Sequence, residues 1–282
     1  MYRATEAIGD PWAWLILREA SLDGVTRFND FRFRLGIARE TLVTRLDHLV
    51  DRGLLERDIP DYRLTPSGTD IFGCLVAAMS WGDRWRRGPS TLRMTHVGCG
   101  CKFKPAFHCS ACDEGLRALD VTVEAIVNTS AELIGVQRHR TPNLALLERK
   151  RPCSIARTLE IAGDRWTSLT IRECFLGTRR FDDFTTRLGI VPSVLTQRLN
   201  HLVKNGFLKR QSYQTRPIRY DYRLTEMGLD YYPIPLSMLT WAQRWLPNAS
   251  KGIILRHKRC EQHFSTVLVQ RFLDLTHIRR PF

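Results

Sequence analysis

The chain repeats itself, so its fold must be one that can be built twice. IGDPWAWLILRE (Ile8–Glu19) returns as AGDRWTSLTIRE (Ala162–Glu173) at a shift of 154, pairing Trp12 with Trp166. RFNDFRFRLGI (Arg27–Ile37) returns as RFDDFTTRLGI (Arg180–Ile190), and RLDHLVDRGLLER (Arg45–Arg57) as RLNHLVKNGFLKR (Arg198–Arg210), both at 153. YRLT at Tyr62 and at Tyr222 stands 160 apart, so the second copy carries seven extra residues just before it. Trp81 and Trp85 meet Trp241 and Trp245 at that same shift. A unit of roughly 80–90 residues exceeds a solenoid repeat, and two similar domains in tandem are expected.

In the second copy, Phe181–Arg210 reads as a short helix, a turn at Gly189 and a second helix opened by Pro192. Leu195, Leu199, Leu202 and Val203 form one apolar stripe at helical period. Gly206 ends that helix, and FLKRQSY follows as a strand. The opposite face carries Ser193, Thr196, Gln197, Asn200, His201 and Lys204 without an acid, which suits readout of base edges in a major groove. Ser193, Thr196 and Gln197 are the expected base readers, with Val194 placed for a thymine methyl. Arg179, Arg180, Lys204, Arg216 and Arg219 are the expected phosphate contacts. Arg198 and His201 recur as Arg45 and His48, and for these a phosphate contact and a structural bond stand side by side. Arg39, Thr41, Thr44 and Arg45 are the matching DNA candidates of the first copy.

Each copy reads as helix, helix, turn, helix, short hairpin, helix, which is a winged helix. The fold class is mainly α with small β-hairpins (α+β): two tandem winged helix-turn-helix domains, with a small cysteine-rich hairpin after the first. The closing helix opens at Thr65-Pro66 in the first copy and at Thr225 in the second, where Pro233 and Pro235 should bend or delay it. The paired tryptophans one turn apart read as core or subunit interface.

Charge separates the halves. Residues 1–90 hold 13 basic and 13 acidic residues, whereas residues 151–282 hold 22 basic and 10 acidic, nearly all of the net +14. A basic half with interspersed aromatics points to a polyanion, here double-stranded DNA. No run of about 18 apolar residues occurs, so no membrane span is expected. MYRATEAIGD lacks a signal-peptide profile, and the eight cysteines are read as belonging to a reducing cytoplasm, with the protein at the nucleoid.

From CSIARTLEIAGDRWTSLTIRECFLGTRRFDDF through YDYRLTEMG, the second copy resembles the HxlR-type winged-helix transcriptional regulators. The carriers are Cys153, the GDRW turn, IRE, RRFDDF, TQRL and YRLTEMG. The match spans about 153–247 strongly and about 4–87 as a diverged copy. The resemblance implies a DNA-binding regulator that works as a dimer paired through terminal helices. It also implies a redox or electrophile effector acting at the cysteine matched by Cys153; Arg157, one turn on, would favour its thiolate. Repression by promoter occlusion is the expected outcome.

There are departures. Val191 stands where the family usually has a capping serine. The first copy has Glu40 near the start of its second helix, and its hairpin ERDIPDYR is short and acidic where the second copy has QSYQTRPIRYDYR with Arg216 and Arg219. The second domain is therefore the expected main reader. A homodimer and a single-chain pseudo-dimer are both compatible with the repeat.

HVGCGCKFKPAFHCSACDEG places His96, Cys99, Cys101, His108, Cys109 and Cys112 within 17 residues. Cys109-x2-Cys112 is a zinc-knuckle half, and Cys99 and Cys101, or one of them with His96, are the expected completing ligands of a structural Zn2+. The C-terminal RHKRCEQHFSTVLVQRFLDL aligns with this cluster at a shift of 161, which sets Gln270 and Leu273 opposite Cys109 and Cys112 and predicts no ligands there. The organisation is then 1–90 diverged winged helix, 91–127 zinc-ribbon-like hairpin, 128–152 linker, 153–247 HxlR-type winged helix and 248–282 degenerate hairpin appendage. The competing classes are a zinc or thiol redox enzyme centred on 96–112, and a winged-helix docking module without DNA binding. No catalytic residues are assigned, because neither a βαβ context nor paired carboxylates flank the cluster.

Overall fold

The computed structural model describes residues 2–91, 94–95, 100–126, 142–144, 147, 151–246, 253–264 and 266–268. Most of the predicted linker, together with His96 and Cys99, lies outside the described residues.

Local chemistry sets the helix ends. Asp10 and Asp164 cap Pro11–Asp23 and Arg165–Phe175, each accepting from the backbone N–H of the tryptophan two residues on, at 2.7 and 3.1 Å. Phe28–Leu35 and Phe181–Leu188 both end on a left-handed glycine, Gly36 (φ 60°) and Gly189 (φ 58°). That conformation costs a side-chain-bearing residue energy and turns the chain into Arg39–Asp51 and Pro192–Lys204. Neither Ala38 nor Val191 makes a side-chain cap.

The core repeats as the sequence does. Phe31, Leu35, Leu42, Leu46, Leu49 and Leu54 are buried in the first copy, and Phe184, Leu188, Leu195, Leu199, Leu202 and Phe207 in the second, each at a shift of 153. The hairpins differ: Leu55–Asp58 pairs with Asp61–Leu64 over four residues a side, while Leu208–Thr215 and Ile218–Leu224 extend much further before turning. The closing helix splits in both copies, into Pro66–Asp70 and Phe72–Trp85, and into Glu226–Leu229 and Pro233–Trp245.

The copies are interlocked rather than strung apart. Phe72–Trp85 packs on Ser154–Ala162 and on Pro233–Trp245, which in turn packs on Tyr2–Ile8. Each copy's leading helix thus lies on the closing helix of the other. Gly82 permits one of these approaches, since a Cβ there would sit 2.2 Å from the Ser154 carbonyl oxygen. Trp81 Nε1 donates to the Met227 carbonyl at 3.0 Å, and Trp241 Nε1 donates to the Ser67 carbonyl at 2.8 Å. Trp85 and Arg84 bond Asp230 at 2.6 and 3.1 Å; Trp245 and Arg244 bond Asp70 at 2.7 and 2.9 Å. Every one of these pairs maps onto its counterpart at the 160-residue shift, which is the reciprocity of a two-fold homodimer written into one chain.

A small β module completes the fold. Val121–Ile126 pairs with Ile253–His257, and Phe107–Cys109 with Thr266–Leu268. The C-terminal segment is therefore the second half of the cysteine-rich module, not a separate appendage repeating it. The sequence alignment at 161 fails because the true correspondence is 148: Leu116 N–H bonds the Phe107 carbonyl as Phe264 N–H bonds the Leu255 carbonyl, at 2.8 and 3.1 Å.

Candidate nucleic-acid interface and metal centre

The outer face of Pro192–Lys204 has no acid in its first turn, and Ser193, Thr196, Gln197, Asn200 and Lys204 on it are exposed. The Thr196 hydroxyl donates to the Pro192 carbonyl at 2.9 Å, leaving its lone pairs outward. Val194 is half-buried against the core, so less of it faces out than its helical position suggests. Val191, 61% exposed, leads this helix.

Around the helix stand exposed cations. Arg179 and Arg216 are exposed. Arg180 lies over the Tyr213 ring at 4.8 Å and 3.9 Å from Asp221, and Arg219 bonds Asp182 at 3.2 Å. These pairs are solvent-exposed on at least one side, so a phosphate can compete for each arginine at a cost of roughly 0–1 kcal/mol.

The recurring arginines and histidines bond within the fold. Arg45 is buried in an ion pair with Asp10, the capping residue of Pro11–Asp23, and Arg198 repeats the pair with Asp164 at 3.0 Å while half-buried. His201 Nε2 is 3.2 Å from the Ile161 carbonyl, as His48 Nε2 is from the Ala7 carbonyl. A buried guanidinium held by a carboxylate is costly to withdraw. For Arg45 the structure shows the structural bond.

The first copy presents a different face. Arg39 and Thr44 are exposed and Thr41 is half-buried, but Glu40 is exposed beside them. Its wing arginines pair with acids of the same copy, Arg57 with Asp47 and Arg63 with Asp58 at 3.1 Å, and Arg27 pairs with Asp61 at 3.9 Å as Arg180 does with Asp221. The two faces are unequal in charge and reach.

Cys153 is buried. Its sulfur accepts from Arg18 at 2.5 Å and from the Ala156 N–H at 3.3 Å, capping Ser154–Ala162. The exposure expected of a sensing thiol is not met in this conformation.

The cysteine-rich module gathers a different donor set from the expected one. Cys109, Cys112, His257 and Cys260 bring their ligand atoms within 4.8 Å of one another. The Cys109 and Cys260 sulfurs are 3.9 Å apart, and His257 Nδ1 lies 3.3 Å from Cys112 Sγ and 3.4 Å from Cys260 Sγ. Cys101, expected to complete the site, is exposed and outside this group, and Cys99 lies outside the described residues. A bond from the Glu114 backbone favours the Cys112 thiolate, yet burial and the adjoining Cys260 and Cys109 sulfurs outweigh it and push that thiol up to about 11. Cys260 is held below the ordinary thiol value, chiefly by its bond with the Gln262 backbone. The cluster could hold a metal ion. Sequence reasoning missed His257 and Cys260, although the signal was present: His-x2-Cys-Glu-Gln echoes Cys-x2-Cys-Asp-Glu at a shift of 148.

Among the described residues, no helix is long and apolar enough to cross a membrane. Residues 7–89 and 161–250, more than half of the chain, match the HxlR-like helix-turn-helix family. An uncharacterized HTH-type transcriptional regulator of Mycobacterium tuberculosis is 39% identical over 117 residues, 41% of this chain and 74% of its own. Another such regulator, from Bacillus subtilis, is 29% identical over 100 residues, 35% of this chain and 78% of its own. A solved structure from Pseudomonas aeruginosa is 34% identical, the match covering 42% of this chain and 88% of that one, with a TM-score of 0.31.

Proposed function

From the premise that this chain belongs to the HxlR-like helix-turn-helix family, and is a DNA-binding transcriptional regulator, we propose that it reads DNA as a single-chain pseudo-dimer with unequal half-sites. The observation that carries this reading is the reciprocal interlock of the copies, through which one chain supplies two helix-turn-helix units in the manner of a family dimer. Ser193, Thr196 and Gln197 read base edges in the better half-site, and Arg179, Arg180, Lys204, Arg216 and Arg219 hold its phosphates. Arg39, Thr41 and Thr44 make weaker contacts in the other half-site, because Glu40 meets the approaching phosphates. Arg198 and His201 act through the helix they fix. Repression follows from occlusion of a promoter by the bound protein. The reading is non-enzymatic, and a metal in the β module has a scaffolding role.

The test is selection of a random duplex pool on the whole chain, since each copy's leading helix packs on the closing helix of the other copy. The expected site has one sharply determined half and one degenerate half. Gln197→Ala should relax one base position in the sharp half and cost about 1–3 kcal/mol, while Thr44→Ala changes little. Equal effects of the two changes would mean symmetric reading, and no enrichment at low salt would sink the proposal.

A further inference from the structure

The geometry points to a structural zinc ion held by Cys109, Cys112, His257 and Cys260, a clasp that joins the segment trailing the first copy to the segment trailing the second. In a tetrahedral site with zinc–sulfur bonds of about 2.3 Å and a zinc–nitrogen bond of about 2.0 Å, sulfurs stand roughly 3.8 Å apart and a sulfur and the nitrogen roughly 3.5 Å apart. The separations found are 3.9 Å between Cys109 and Cys260 sulfurs, and 3.3 and 3.4 Å from His257 Nδ1 to the sulfurs of Cys112 and Cys260. Three sulfurs and one imidazole nitrogen form a closed, borderline-soft set that suits Zn2+ over a hard cation.

The backbone around the donors is built twice to one pattern. Asp113 N–H bonds the Cys109 carbonyl at 2.9 Å, and Glu261 N–H bonds the His257 carbonyl at 2.8 Å. The residue after each second ligand, Asp113 or Glu261, takes a positive φ, 61° and 59°. The Ala111 N–H reaches Cys109 Sγ at 3.4 Å. His257 is fully buried, with Nδ1 turned to the sulfurs and Nε2 without a partner among the described residues. A polar ring buried this way, beside three crowded sulfurs, is poorly compensated until a cation binds it.

The consequence reaches beyond the module. Its small core of Leu116, Leu255 and Phe264 closes on Leu236 and Leu239 of the second copy's closing helix, and Tyr232 Oη donates to the Leu116 carbonyl. With so little apolar surface of its own, the module takes much of its folding free energy from the metal. The ion therefore fastens the two copies across about 150 residues of chain, independently of any DNA contact.

Metal analysis of the whole protein, purified without chelator, is expected to give one zinc per chain. Cobalt substitution should give the intense visible bands of a tetrahedral site and a thiolate-to-cobalt charge-transfer band. Cys260→Ser should lower zinc retention at least tenfold after dialysis, whereas Cys101→Ser retains it. Wild-type protein lacking zinc and refusing cobalt under reducing conditions would overturn the proposal whatever the variants do. So would a Cys109–Cys260 disulfide in protein handled anaerobically, or loss of zinc in Cys101→Ser alone.

Discussion

Trp81→Ala is expected to lower the unfolding free energy of the whole chain by about 3–5 kcal/mol, measured by urea denaturation with the midpoint followed at both copies. The indole is 2% exposed and meets the Tyr231 ring edge-on at 5.5 Å and the Phe207 ring at 6.0 Å, both from the other copy. Truncation removes that packing and leaves the Met227 carbonyl without its donor. Because the contact crosses between copies, a probe in the second copy must report the loss as fully as one in the first. Trp241→Ala should cost a similar amount through Ser67. A change below about 1 kcal/mol, or two separate transitions in the wild type, would show that the copies fold independently.

Affinity for the selected duplex is expected to fall roughly 10³-fold between 50 and 200 mM salt, the behaviour of about six neutralised phosphates and a log–log slope near −5. Arg216→Ala and Lys204→Ala should each reduce that slope by about 1 and weaken all sequences alike. Arg219→Ala should do less, because Arg219 gives up its bond to Asp182 on binding. Arg45→Ala is the contrasting control: it leaves Asp10 without the guanidinium that meets it and destabilises the fold, with the salt slope of the surviving folded protein unchanged. Equilibrium titration by anisotropy at four salt concentrations separates these outcomes. A slope shallower than about −2, or one indifferent to Arg216 and Lys204, would reject the assigned phosphate contacts.

The contrast among these arginines marks where sequence reading stopped. Arg45 and Arg198 sit at helical positions compatible with either an outward or an inward bond. Their partners, Asp10 and Asp164, belong to another helix, and only the packing of the two helices brings the carboxylates within reach. Val194 illustrates the same point in the other direction: its place on the helix suggests an outward methyl, and the tertiary fold packs it against the core. Cys153 reads as a thiol beside Arg157, yet a guanidinium that bonds its sulfur is that of Arg18, contributed by the other copy.

What the sequence determined by itself is everything that depends on near neighbours along the chain. The apolar period from Phe184 to Phe207, the left-handed Gly189, the capping Asp164 and Thr225 and the longer second wing all follow from local backbone and side-chain rules. Duplication made these signals legible twice. What only the tertiary structure decided is how the two copies close on each other and which donors converge on the metal site. The tryptophan stripe announces burial but is silent on its partner, since an isologous face is satisfied equally by a second chain or a second copy. Cys109-x2-Cys112 likewise leaves its two missing donors open. The folded strands bring His257 and Cys260 to it because β pairing, not proximity in sequence, sets which side chains share a corner.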